Sequence, residues 1–138
     1  MNDSTLSKNH DLALLLLRIG VALVFVVAGW GKLNGIEGVQ GFFGDLGIPM
    51  AGIMAWVVAL TEFVGGLMVL FGVKARIPNL LLAFIMVVAI FTTKLGDFDI
   101  SSAGVRVDLL MLITTLSLAL MGSGRFSVDA MFLNKSED

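Results

Sequence analysis

The sequence predicts an all-α fold, an integral membrane four-helix bundle, and three observations lead there. Of 138 residues, 57% are hydrophobic and only 14% are charged, whereas a soluble domain carries roughly 25% charged residues. Mean hydropathy is +0.97. Four apolar runs approach the roughly 20 residues that cross a bilayer, within a usual range of about 17–25. These runs fill most of the chain, leaving little polar sequence to cover a buried soluble core. The length suits a single domain, 1–138.

The elements follow in order. The first span covers about 12–30, LALLLLRIGVALVFVVAGW. Arg18 breaks its apolar region and no small-residue cleavage site follows, so it reads as a permanent span and not a secretory signal. The link GKLNGIEGVQGFFGDLGIP carries glycines at 35, 38, 41, 44 and 47. A three-residue step drifts around a helix, so they form no single smooth face. With Phe42, Phe43, Leu46 and Ile48, this link reads as a short interfacial or re-entrant element closed by a turn at Gly47–Pro49, or as a plain flexible loop. The second span covers about 50–71. GVKAR then makes a tight link, and Pro78 falls at a helix start, where its missing N–H costs nothing. The third and fourth spans, about 77–93 and 105–121, are short and can thin the bilayer or lean on neighbours. KLGDFDISSAG between them is polar and belongs in water. After Gly124, FSVDAMFL forms one amphipathic turn before a charged end.

Four spans put both termini on one side, together with Lys8, Lys74, Arg76, Arg125 and Lys135. The other side holds Lys32, Lys94 and Arg106. This bias favours cytoplasmic termini in a plasma (inner) membrane. Trp30 and Trp56 then lie toward the outer interface, where tryptophan is ordinary.

Composition excludes several functions. A net charge of −2 without a basic stripe argues against nucleic acid. The chain has no cysteine, and its one histidine, His10, precedes the first apolar run. Disulfides, thiol relays, thiolate metal sites and a haem held by two histidines of this chain are all ruled out. Asp97 and Asp99, one residue apart, do not make a metal site without further ligands. The methionines are scattered apolar filler. No catalytic residue and no metal ligand is assigned, and the chain carries little redox chemistry of its own.

Two charges lie within spans, where a charge is expensive and normally paired, interior and functional. Arg18 lies about 9 Å from the inner end of span one and Glu62 about 14 Å deep in span two, at 1.5 Å per residue. An arginine can cover that difference, so the two can pair. Such a pair can fix helix register, floor a pocket for a quinone or other small headgroup, or serve a proton or ion pathway. Alternatively, Arg18 snorkels to the inner surface. Asp108, with Lys32, Lys94 and Arg106, marks an outer layer that is either a mouth cluster or ordinary interfacial charge. Gly29, Gly31, Gly65 and Gly66 are small residues suited to close helix packing.

RIGVALVFVVAGWGKL resembles the opening motif of the DoxX family of small four-span membrane proteins, with an arginine in the span and glycine and lysine at its exit. ALTEFVGGLMVLFGVKAR resembles the second span, its glutamate followed by paired glycines. MGSGRFSVD resembles the family's ending. Arg18, Lys32, Glu62, Gly65 and Gly66 fall on the pattern. The resemblance implies a subunit or accessory of a quinone-linked oxidoreductase or oxidative-stress assembly, with no independent catalysis. It implies no covalently bound cofactor, a quinone as the ligand, and the bilayer, a membrane oxidoreductase and further copies of the chain as partners. In that reading Arg18 and Glu62 line the polar site, with Lys32 and Asp108 near its outer mouth. The alternative is a small proton-coupled transporter or channel using Glu62. A third reading is a structural or biogenesis factor.

Overall fold

The computed structural model describes residues 2–74, 76–93 and 100–136, and every regular element among them is a helix. They are α1 (Asp3–Asn34), α2 (Ile36–Asp45), α3 (Ala51–Phe71), α4 (Arg76–Thr93), α5 (Ala103–Met121) and α6 (Val128–Ser136). The fold is an all-helical bundle, as the composition predicts. α1, α3 and α5 are long and apolar enough to cross a membrane, while α4 over Arg76–Thr92 is apolar but shorter. Lys94, Asp97 and Asp99, and most of the polar link that contains them, lie outside the described residues.

α1 begins well before its apolar run. Asn2 caps it, its Oδ1 accepting from Thr5 N at 3.0 Å and Thr5 Oγ1 at 2.7 Å, which satisfies helix-start donors in a polar segment. α1 stops at Gly35, whose N–H returns to the Gly31 and Lys32 carbonyls. The glycine-rich link then forms a helix, α2, and a turn in which Gly47 and Met50 take positive φ, 75° and 54°. It is therefore a structured element and not a plain loop. Because α2 connects the end of α1 to the start of α3, it lies along the N-terminal half of α3, and Gln40 Nε2 donates to Gly52 O at 3.0 Å.

α3 ends in a left-handed glycine, Gly72 at φ 71°. Gly72 N–H returns to Val69 O and Val73 N–H to Met68 O, the paired bonds of a Schellman stop. Ser102 caps α5, accepting from Val105 N at 3.3 Å, and Ser127 caps α6, accepting from Ala130 N at 3.1 Å.

The packing is that of a protein whose solvent is lipid. Large apolar side chains such as Leu16, Val27, Phe84 and Leu120 point outward, Leu120 at 83% exposure. Arg18 and Glu62 are inside, at 1% and 2%. The core holds Leu14, Val21, Phe25, Val69, Leu82 and Leu118. α1 and α3 run antiparallel and touch at two glycines. A β-carbon at Gly29 would fall 2.5 Å from Phe63 N, and one at Gly66 2.9 Å from Val26 Cγ2. Gly65 sits in ordinary contact distance of Leu82 on α4. Small residues permit this backbone approach where lipid gives helices no hydrophobic reason to associate.

Candidate functional site: an ion pair at the end of an apolar pocket

Buried positions on α3 recur as Ala55, Ala59, Glu62, Gly66 and Val69, steps of four and three that define one helix face. Glu62 therefore has to face α1. On α1 the buried face includes Leu14, Arg18, Val21, Phe25 and Gly29, and Lys32 continues it two heptads beyond Arg18. The Lys32 ammonium donates to Glu62 Oε2 at 2.7 Å, with side-chain exposures of 29% and 3%.

This pair belongs to a pocket of about 460 Å³, a size typical of small-molecule sites, roughly 300–1,000 Å³. Phe43 on α2 and Leu46 after it cover one side, Met54 and Val58 on α3 form another, and Ile85 and Ala89 on α4 face them. Asp108 on α5 reaches the same space. The arrangement is one ammonium and two carboxylates in the lining of an otherwise largely apolar chamber. Such a chamber can hold an apolar molecule and fix its polar end by hydrogen bonds.

Arg18 has a different role from the one the sequence suggests. Its Nε donates to Val69 O at 2.9 Å and one terminal nitrogen to Leu70 O at 2.7 Å. The other terminal nitrogen serves Ser123 O at 3.0 Å and Phe126 O at 2.7 Å. The guanidinium thus satisfies the Leu70 carbonyl at the end of α3, adds a second bond to Val69 O, which already accepts from Gly72 N–H, and ties both to the segment after α5. Asp129 strengthens this knot. Its carboxylate accepts from Lys74 N at 2.8 Å and Ser123 Oγ at 2.7 Å, and its own N–H donates to Gly72 O at 3.1 Å. A β-carbon at Gly72 would collide with Ser127 and Arg18.

The structure therefore does not bring Arg18 and Glu62 together. With Gly29 against Phe63 and Gly66 against Val26, Arg18 comes level with the end of α3. Glu62 lies eight residues before Leu70, about 12 Å along the helix. The sequence estimate counted depth from the ends of apolar runs, but α1 extends past its run and α3 ends beside Arg18. What the structure does join is Lys32, Glu62 and Asp108. Sequence reasoning missed Lys32 as the partner of Glu62, although its two-heptad offset from Arg18 was visible. It also missed Ser123 and Asp129, whose only signal was the Gly- and Ser-rich MGSGRFSVD.

Comparison with known proteins agrees with this architecture. The DoxX family model matches residues 13–95. The chain is 38% identical over 124 residues to the Bacillus subtilis protein named "Putative oxidoreductase CatD", covering 90% of both chains. It is 35% identical over 135 residues to the Escherichia coli inner membrane protein YqjF, covering 94% of this chain and 98% of that one. An uncharacterized membrane protein of Mycobacterium tuberculosis, Rv3486, is 32% identical over 130 residues, covering 85% and 79%. No solved structure matches it significantly. With a family match over α1 to α4 and relatives alike over nearly their whole length, this chain belongs to the DoxX family of membrane proteins.

Proposed function

We propose that this chain is a membrane subunit or accessory of a quinone-linked oxidoreductase, with no independent catalysis. Its pocket would receive the quinone headgroup at Lys32 and Glu62. The observation that carries this reading is the 2.7 Å ion pair, its carboxylate buried, in the lining of an apolar chamber. The donor set fits the group. The Lys32 ammonium can donate to a quinone carbonyl, and the carboxylates of Glu62 and Asp108 can accept from a quinol hydroxyl. When bound, the quinone supplies two-electron, two-proton chemistry. The chain supplies orientation, exclusion of water by the apolar walls, and groups that hold a proton beside the ring. With no cysteine and no histidine beyond His10, electrons have to come from a partner. The oxidoreductase name of the Bacillus relative is consistent with that.

In this reading α4 crosses with α1, α3 and α5, making four spans within a plasma membrane and both termini cytoplasmic. Native mass spectrometry of protein extracted gently from its own membranes tests the reading. A bound quinone or a stoichiometric oxidoreductase, with the quinone lost in Glu62→Gln, is the expected result. Unchanged quinone binding in Glu62→Gln would remove Glu62 from the site. A bare chain with Glu62-dependent flux in proteoliposomes would replace this reading with a small proton-coupled transporter.

A further inference from the structure

We infer that the pocket is loaded sideways from the bilayer, through the slot between α3 and α4, and so takes a quinone anchored by a long apolar tail. This rests on the proposed quinone site and adds its route and its substrate class. α3 and α4 are tied at one end by the short Gly72–Arg76 link, and Gly65 meets Leu82 just beyond it. The pocket occupies the groove from the level of that contact onward, where both helices carry lining residues. These include Val57 on α3 and Leu81, Phe84 and Val88 on α4, all exposed as well as lining. In a chain that spans a membrane, exposed apolar side chains at this depth face lipid, so the mouth opens to acyl chains. On the other side α2 and the turn after it place the half-buried Phe43 and Leu46 against the chamber, with the exposed Phe42 at its edge.

The polar end selects the headgroup. Lys32, Glu62 and Asp108 bring one positive and two negative formal charges. A phosphate or carboxylate headgroup meets a net negative site and is repelled, whereas a neutral quinone carbonyl accepts from Lys32 and, once reduced, a quinol hydroxyl donates to a carboxylate. A slot between two helices with apolar lips accommodates a chain that continues into the bilayer. A water-soluble ring without a tail gains nothing from those lips.

The natural absence of cysteine makes a site-directed test clean. In the full chain in lipid nanodiscs, a nitroxide is attached to Leu81→Cys at the mouth. A second is attached to Leu120→Cys, a lipid-facing control that does not line the pocket. Oxygen collision rates are read by electron paramagnetic resonance during titration with a long-chain benzoquinone and with the same ring lacking the tail. The expected result is a saturable loss of oxygen access at position 81 with the tailed quinone alone, and none at position 120. Binding of both quinones, seen by native mass spectrometry, without any change at position 81 would overturn the lateral route and leave the quinone site standing. Loss of access at 81 on adding a phosphatidylglycerol in place of quinone would overturn the headgroup selection. Failure of the tailed quinone to bind would remove the quinone site and the route together.

Discussion

Lys32 and Glu62 meet at 2.7 Å across the α1–α3 interface, the carboxylate buried and the ammonium still partly exposed. Both line the pocket, but they differ in burial, so each partner depends on the other unequally. Removing the lysine leaves a buried carboxylate alone, whereas removing the glutamate leaves an ammonium that can turn toward the pocket mouth.

Lys32→Met is expected to destabilise the fold by about 3 kcal/mol, the lower end of what breaking a buried pair costs. Glu62→Leu alone should cost less, and the double variant Lys32→Met with Glu62→Leu should recover most of the loss, since no buried charge then lacks a partner. Thermal unfolding in detergent micelles measures all three. Equal costs for both single variants would contradict the asymmetric burial.

Arg18→Lys should behave as a severe change despite its conserved charge. A lysine ammonium cannot span the four carbonyls of Val69, Leu70, Ser123 and Phe126 that the planar fork reaches. Each buried carbonyl left unmatched costs about 1–3 kcal/mol. The folded yield from membranes should drop steeply, while the quinone affinity of the molecules that do fold should stay at the unmodified level. A changed affinity would place Arg18 back in the site.

Glycine substitutions should separate sharply by position. Gly29→Ala and Gly66→Ala push a β-carbon into Phe63 and Val26, force α1 and α3 apart and should lower the unfolding temperature. Gly31→Ala meets nothing within 4 Å and should be neutral or stabilising by up to about 1 kcal/mol through helix propensity. Parallel melting curves of the three variants decide it.

The C-terminal segment reaches the N-terminal half of α1 through Arg18 and through Gly124 beside Leu14, so both lie at one end of the bundle, as the proposed four crossings require. Reporter fusions should therefore give the same signal at either end, and we expect it to be cytoplasmic from the lysine and arginine bias. Opposite signals from the two fusions would contradict the proposed four crossings.

The architecture was legible early because lipid writes directly into composition. Apolar runs of bilayer length and outward aliphatic residues need no knowledge of neighbours, only of backbone hydrogen bonding in hydrocarbon. The glycine-rich link was half legible: its aromatic residues suggested an element, but the choice between loop and helix rested on docking against α3, as Gln40 does on Gly52.

By itself, the sequence determined that this protein lives in a membrane, that Glu62 and Arg18 fall within its apolar spans, and that it holds no thiol or paired-histidine chemistry. Only the tertiary structure decided which charge meets which. That choice depends on the axial offset of α1 against α3, which the close approaches at Gly29 and Gly66 set. A shift of a few residues along antiparallel helices moves a side chain by several ångströms, at 1.5 Å per residue, more than separates an ion pair from two unrelated residues. The offset gave Lys32 to Glu62 and left Arg18 to bind the carbonyls at the end of α3 and the segment after α5, because a guanidinium buried there has four of them within reach.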